Sequence, residues 1–500
     1  LPCVYIQSRQ CPSDGSWNAY NMGNQEFPAG CTPRFEDISK TPETFPFSYE
    51  RIYPVDVQEG PDGVLYDFGK ETFAKVHLDD IQNHQELNVS YGESIEEARD
   101  WERAIIRETV SGVSSCVLKP RAFRYLFLSG KDRNACAVSA DYEYLPLEYK
   151  GSFACDDETI NKVWAAAAYT FHLNSREFFL DGIKRDRWVW SGDAFQSYMI
   201  NNYLFFDKEI DKRTIIALRG KDPVERHINT ILDYSFYWII SILNYYQTTK
   251  DLEFVASVYP KMVTLMDFCL GRREEHGFCD GRDGDWIFID WSEMDKDGPL
   301  CAEQILLARS LDAMALCSGL LGKDSAGYEA LARETKEKIN RYYWSEEKGA
   351  YIDSFTSGRK HVTRHANIFA ILFDYVTQEQ KESILKNVLL NDEITQITTP
   401  YFKFYELDAM CKLGYQEFAT QQMLSYWGGM IHLGATTIWE EYDPKLEGAA
   451  HYSMYGEPYG KSLCHAWGGG PIYLLGRYYL GVVPTAPGYE TFDIAPSLGG

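Results

Sequence analysis

The chain lacks the common signatures of cofactor and nucleophile chemistry. It has no phosphate-binding glycine loop, no dinucleotide fingerprint, no metalloprotease helix motif and no nucleophile elbow. Its 12 cysteines form no Cys-x-x-Cys pair and no zinc spacing. No metal and no cofactor is therefore expected, and most of the thiols read as small buried hydrophobes. Cys3, Cys11 and Cys31 are close enough in sequence to bridge in an oxidising compartment. Long apolar runs are missing too. The longest, Tyr234 to Tyr246, is too short to span a bilayer and predicts a buried helix. Cations are scarce: 49 Lys and Arg face 73 Asp and Glu, for a net charge of −24. Such a chain repels nucleic acid and anionic lipid, so neither is expected as a partner. It starts at Leu1 rather than Met, so a preceding segment is expected to have been removed.

What is present is globular and aromatic. Hydrophobic residues make up 45% and aromatics 15%, with 35 Tyr and 12 Trp, which suits a carbohydrate-handling surface. A chain of 500 residues exceeds one ordinary core, so several domains are expected. Residues 1–46 show no period and read as an irregular lead-in or the end of an upstream β domain. Residues 47–148 carry short strands, such as Val64–Phe68, Lys75–Leu78, Glu86–Tyr91 and Arg124–Leu128, with turns at Pro61-Asp62-Gly63 and Ser129-Gly130. They predict a jelly-roll-like β-sandwich. Asn88-Val89-Ser90 inside it is a formal glycosylation triplet.

Near Gly151 the period changes from two to that of a helix. Asp156-Asp157 can cap a helix whose apolar positions are Ile160, Val163, Trp164, Ala167 and Phe171. Thr377 and Gln380 form a capping box leading to Ile384, Leu385, Val388 and Leu389, and Tyr328, Leu331, Ala332 and Ile339 mark another helix. About a dozen such segments over 149–486 predict an all-α domain: a toroid of six inner and six outer helices, or a helical solenoid. Residues 487–500 return to strand-like sequence, as the start of a C-terminal β domain.

One stretch, Asp181 to Asp193 (DGIKRDRWVWSGD), alternates three carboxylates with three cations around Trp188 and Trp190. Indoles stack on the apolar faces of a pyranose, while carboxylates hold hydroxyls or move protons. Acid beside tryptophan recurs at Asp283–Glu293 and Gly434–Asp443, and a histidine beside tryptophan at Cys464–Pro471. Taken singly, each reads equally well as a structural loop. Loops at one end of a helical toroid converge, so four of them can share one site.

The stretch resembles the α-L-rhamnosidase signature of glycoside hydrolase family 78, Asp-x-x-x-Arg-(Glu or Asp)-Arg-x-x-Trp-x-Gly-Asp. It matches at Asp181, Arg185, Asp186, Arg187, Trp190, Gly192 and Asp193. The resemblance covers about 45 to 496. It implies an (α/α)6 barrel with flanking β-sandwich domains, and an inverting exo-glycosidase that releases terminal α-L-rhamnosyl units. It also implies Asp186 as general acid, where many members carry Glu, and Glu440 of the Ala-Thr-Thr-x-Trp-Glu motif as general base. Asp181, Arg185, Trp190, Asp193, Asp290, Trp291, Trp439 and His465 are the implied substrate contacts. A carbohydrate is thus the expected partner, in a periplasmic or secreted bacterial setting. A non-catalytic carbohydrate-binding protein, or an exo-glycosidase for another sugar, is the alternative. For an acid role Asp186 must hold its proton at neutral pH, through burial near Trp190 or through Asp181 and Asp193. Arg185 and Arg187 are accordingly expected to point away from it.

Overall fold

The computed structural model describes residues 47–497 except 221 and 283, and two short paired strands, β1 (Asn18–Tyr20) and β2 (Glu26–Pro28). The rest of the lead-in, with Cys3, Cys11 and Cys31, lies outside the described residues. The chain divides into two compact units, one of residues 42–188 and 423–469, the other built on 189–422 and 470–500.

The first unit holds the sheet domain. Its strands are β3 (Ser48–Ile52), β4 (Asp56–Gly60), β5 (Gly63–Asp79), β6 (Leu87–Gly92), β7 (Ile106–Val110), β8 (Cys116–Val117), β9 (Arg121–Ser129) and β10 (Ala137–Tyr144). They pair antiparallel in the order β3-β10-β5-β9-β6-β7, with β4 and β8 both on β5. The two strands expected at Val64–Phe68 and Lys75–Leu78 are one, β5. An irregularity between Asp67 and Thr72, with Gly69 at φ +86°, bends it without ending it. The inward residues Val64, Val76, Leu78, Val89, Phe123, Leu126 and Leu128 are fully buried. The triplet serine Ser90 is equally buried in β6, donating its hydroxyl to Ala98 O. α1 (Ile95–Arg99) follows β6, capped by Ser94.

The same unit contains α2 (Glu158–Asn174). Of the expected pair Asp156-Asp157, it is Asp157 that caps it, accepting the Thr159 and Ile160 N–H groups. Ile160, Val163, Ala167 and Phe171 are buried on its inner face.

Helices make up most of the second unit. They are α3 (Ser191–Asn201), α4 (Lys208–Leu218), α5 (Leu232–Thr249), α6 (Leu252–Leu270), α7 (Cys301–Leu320), α8 (Ala326–Tyr343), α9 (Arg364–Leu372), α10 (Gln378–Ile384), α11 (Pro400–Lys412), α12 (Gln416–Gln422) and, after the short α13 (Gly428–His432) of the first unit, α14 (Gly470–Leu474). The apolar run Tyr234–Tyr246 is buried within α5, and no helix among the described residues is long and apolar enough to cross a membrane. The Thr377–Gln380 capping box opens α10. The strand expected near the C-terminus is Phe492–Ile494, paired antiparallel with Val482–Pro484. All cysteines among the described residues are free thiols, and all but Cys116 and Cys155 are buried.

One ion network fixes the second unit internally. Arg364 is fully buried and gives N–H groups to Glu406 at 2.8 Å and to the carbonyls of Leu389 at 2.8 Å and Asn391 at 2.9 Å. Lys403 reaches the other Glu406 oxygen at 2.7 Å. Burial alone would raise the Glu406 pKa, but Lys403 and Arg364 hold it below its ordinary value. Its contribution to stability is therefore present above the ordinary carboxylate value and lost as pH falls through the depressed one. Arg364→Met should cost about 3–5 kcal/mol, since it strands a buried carboxylate and several carbonyls. Urea denaturation at pH 7 measures this, and a loss under about 1 kcal/mol would contradict the assignment.

Candidate active site

In the first unit, the loop from Asp181 to Trp188 is closed by its own ends. Asp181 N donates to Trp188 O at 3.1 Å, and Trp188 N donates to Asp181 Oδ1 at 2.9 Å. Asp181 is buried, so this carboxylate shapes the loop. Asp186 and Arg187 both take left-handed backbone, at φ 54° and 52°. Asp tolerates that region and Arg does so poorly; such strain tends to collect at functional sites. The turn sends the two flanking arginines apart. Arg187 lies over the Phe73 ring at 4.5 Å.

Arg185 does the opposite of what was expected. Its Nη1 lies 3.2 Å from Asp186 Oδ2, while its Nη2 lies 2.9 and 2.7 Å from the two Glu440 oxygens. Its Nε donates to Gly460 O at 2.5 Å, and its plane covers the Tyr455 ring at 4.5 Å. Burial works against the Arg185 charge, but Glu440 and Asp186 outweigh it and raise its pKa. The Asp186 side chain is 41% exposed. Burial near Trp190 and separation from cations, both expected for Asp186, are therefore not found. The reason is local: left-handed backbone turns this carboxylate outward, and one guanidinium fork is wide enough to serve two acids.

Glu440 is 3% exposed. Its N–H donates to Ser462 O at 2.9 Å and its Oε2 accepts Ser462 N–H at 2.9 Å, a reciprocal clamp. Oε1 accepts the Tyr455 hydroxyl at 3.1 Å. With the two Arg185 contacts, each oxygen meets two donors, which suits a carboxylate and not a carboxylic acid. Glu441, next in sequence, pairs with Lys461 at 3.1 Å instead. Trp439 is buried edge-on against Tyr442 and Tyr452 and tilted against His451, so it braces the Glu440 loop.

His465 is buried and stacks on Trp467 at 4.0 Å. Its backbone pairs with Gly182, and Ala466 N donates to Asp181 O at 2.7 Å, so the last motif is stitched to the first. Burial, and then Arg185, push the His465 pKa well below its ordinary value. Trp467 Nε1 in turn donates to Glu440 O at 2.9 Å.

The second unit gathers the remaining expected residues. Trp190 precedes α3, and Asp193 sits in its first turn, where an anion suits the helix dipole. Tyr234 meets Trp190 edge-on at 6.2 Å and donates to Asp193 Oδ2 at 3.4 Å. A Cβ on Gly192 would come within 2.6 Å of Tyr234 and Tyr401, which explains the glycine of the motif. Aromatic contacts continue from Tyr234 to Phe288, then to Trp291 and Trp286. Trp286, Phe288, Asp290, Trp291, Glu293 and Lys296 line a cleft of about 280 Å³. Trp286 is 41% exposed there.

Asp290 accepts from Thr399 at 2.6 Å and lies 2.9 Å from His365 Nε2. It anchors the cleft loop from beneath. Asp233 supports the same loop by accepting the Phe288 and Ile289 N–H groups, each at 3.3 Å, and burial lifts its pKa to about 6. Ile289, β-branched, is held at φ 55°.

The expected residues thus collect in two groups. Asp181, Arg185, Asp186, Trp439, Glu440 and His465 meet in one unit, and Trp190, Asp193, Asp290 and Trp291 in the other. Sequence reasoning missed Tyr455 and Ser462, which lie in a Tyr- and Gly-rich stretch with no acid beside tryptophan. It missed Asp233 because an acid at a helix start reads as a cap.

Comparisons with known proteins place the chain in a family. A family model described as the bacterial α-L-rhamnosidase six-hairpin glycosidase domain matches residues 148–479. A second, an α-rhamnosidase-like N-terminal domain of Bacteroidetes, matches residues 1–128. An α-L-rhamnosidase of Formosa agariphila is 24% identical over 308 residues, 53% of this chain but 30% of its own length. The family 78 rhamnosidase of Bacillus sp. GL1 superposes with a TM-score of 0.77 at 24% identity, covering 89% of this chain and 49% of its own. A Klebsiella oxytoca rhamnosidase, solved with rhamnose bound, gives 0.73 at 20% identity, covering 87% of this chain and 96% of its own. The chain therefore spans less than half of the Formosa protein and about half of the Bacillus one.

The His465 environment predicts a ring that stays neutral. Its imidazole resonances should not move between pH 5 and 8 in a histidine-detected NMR titration, whereas an exposed histidine titrates near 6.5. A midpoint above 6 would contradict it. Because the unfolded ring takes a proton that the folded one refuses, this residue removes stability as pH falls below about 6.5.

Proposed function

The chain belongs to the bacterial α-L-rhamnosidases with a six-hairpin glycosidase domain, and from that premise we propose that it hydrolyses terminal α-L-rhamnosyl units with inversion. The finer architecture, a closed (α/α)6 barrel, is part of the same proposal. The observation that carries the reading is the Arg185 fork between two carboxylates, one buried and held by three donor groups through four contacts, the other exposed.

In this reading Asp186 gives its proton to the leaving glycosidic oxygen, and the carboxylate of Glu440 takes one from the attacking water. An inverting pair leaves room for that water, with carboxyl groups about 6.5–9.5 Å apart against about 5 Å for a retaining pair. A guanidinium lying between the two carboxylates supports the wider spacing, because it keeps them from meeting directly. The exposed Asp186 exchanges its proton with solvent between turnovers. The Glu440 lone pairs are occupied, so the water must displace a donor, and the neutral Tyr455 hydroxyl at 3.1 Å is the longest of these contacts. Ser462 and Arg185 keep the base in place meanwhile. The second unit, taken by itself, offers Trp190, Asp193, Trp286 and Trp291, rings and a carboxylate of the kind that meets the faces and hydroxyls of a pyranose. Asp290 acts at one remove, by fixing the Trp291 loop.

A chromogenic panel of α-L-rhamnosyl, arabinosyl, fucosyl and glucuronyl conjugates tests the assignment. Release is expected from the rhamnoside with strong preference over the others. Preference for another sugar would overturn the substrate. Binding of rhamnosides without any release would favour a non-catalytic carbohydrate-binding protein, which the Arg185 contact to Asp186 makes conceivable.

Two substitutions separate the roles. Glu440→Gln should lower kcat by about 10²–10⁴-fold on all rhamnosides alike. Asp186→Asn should do so only on poor leaving groups, sparing activated phenols within about tenfold. The slope of log kcat against leaving-group pKa reads the difference, and equal slopes for wild type and Asp186→Asn would contradict the acid assignment.

A further inference from the structure

We propose that the sheet domain contributes a positioning residue to the reaction: Glu93, between β6 and α1, holds the loops of the acid and the base together. The proposal rests on the rhamnosidase reading above and concerns one compact unit throughout.

Glu93 reaches both loops. Lys184, the residue before Arg185, buries its ammonium group, with the side chain 2% exposed. It lies 3.4 Å from Glu93 and 2.9 Å from Glu97, and donates to the carbonyls of Tyr459 at 2.7 Å and Lys461 at 3.2 Å. That is the arm toward Asp186. Glu93 Oε2 also accepts Leu463 N–H at 2.7 Å. Ser462, one residue earlier, clamps Glu440 in both directions. That is the arm toward the base. The two loops are far apart in sequence, and this buried carboxylate touches both.

The cluster carries more acid than it can ionise. Glu71, Glu93 and Glu97 are all buried around one lysine, and Glu71 Oε1 has no hydrogen-bond partner among the described residues. Burying several uncompensated carboxylates is unfavourable enough that a proton stays in the cluster. Burial raises Glu93 to about 7 although Lys184 opposes it, and burial followed by the Glu93 charge lifts Glu71 well above its ordinary value. The other charged or titratable groups facing the cluster are Arg124, on Glu71, and the Cys464 thiol.

The signs of the two consequences differ. Above about 7, Glu93 is ionised and grips Lys184; as pH falls through that value the grip weakens and turnover drops. Stability moves the other way. The folded Glu93 holds its proton more tightly than the unfolded one, so its contribution to stability is complete below the ordinary carboxylate value and is lost as pH rises through about 7. A residue that merely supports the fold would move both together.

The test uses the full chain with Glu93→Gln and Glu93→Asp. For a chromogenic α-L-rhamnoside at pH 8, Glu93→Gln should lower kcat about tenfold with KM within about twofold, the signature of lost positioning. Its kcat profile should lose the limb centred near neutral pH, and Glu93→Asp should keep that limb and recover part of kcat. In urea, the midpoint of Glu93→Gln relative to wild type should rise as pH increases from 5 to 9. Unchanged kcat and limb in Glu93→Gln would overturn the proposal, as would a loss shared by kcat and KM with the limb intact. Should Glu93→Gln not fold, a Glu93→Asp protein without the neutral limb would overturn it. If wild type releases no rhamnose, the rhamnosidase reading fails, and a flat midpoint difference would still overturn the buried proton site.

Discussion

In the first unit one guanidinium holds both candidate carboxylates. Arg185 is held by the Gly460 carbonyl and the Tyr455 ring, and its two free edges meet Glu440 and Asp186. An exposed pair of this kind is worth about 0–1 kcal/mol. Here the Glu440 side chain is 5% exposed and Arg185 16%, so the contact is desolvated, and losing one partner costs about 3–5 kcal/mol. That difference lets the pair serve as a fixed reference for geometry. It also sets a limit. The Glu440 carboxylate makes four contacts with three donor groups, so in the proposed reading the attacking water takes the place of one of them.

The sheet domain bears on this arrangement through packing, where Phe73 and Ala122 meet Ile183 and Cys464, and through charge. Lys184 could sit in water as most lysines do. Instead it is buried against Glu93, between β6 and α1, and Glu97 of α1, adjacent to the residue that touches both candidate carboxylates. In the second unit the same logic recurs: Asp233 holds the strained Phe288–Ile289 backbone, and Asp290 is tied to His365 and Thr399, so the tryptophans of the cleft are presented from a fixed loop. In both units buried carboxylates fix the loops that carry the candidate residues.

Much of this is legible in the sequence, for identifiable reasons. The helices announce themselves through their period and caps, as at Asp157 and at Thr377 with Gln380, because local backbone needs dictate those residues. The Asp181–Asp193 stretch stands out because its residue types are costly to place together without a purpose. Less legible are features set by tertiary contact. The continuity of β5 through Gly69 depends on partners on both sides. The direction of Arg185 depends on Glu440, 255 residues away. Trp439 and Asp181 carry the right chemistry for a sugar, yet both are turned inward to brace loops. Glu93 and Tyr455 carry no local pattern, since their roles arise from the loops that meet them.

The stereochemistry of the first product tests the Arg185-spaced pair most directly. Proton NMR during hydrolysis of an α-L-rhamnoside should show β-rhamnose first, with the α form growing only as mutarotation proceeds. Appearance of α-rhamnose first would mean retention, and Glu440 would then be acting as something other than a base on water.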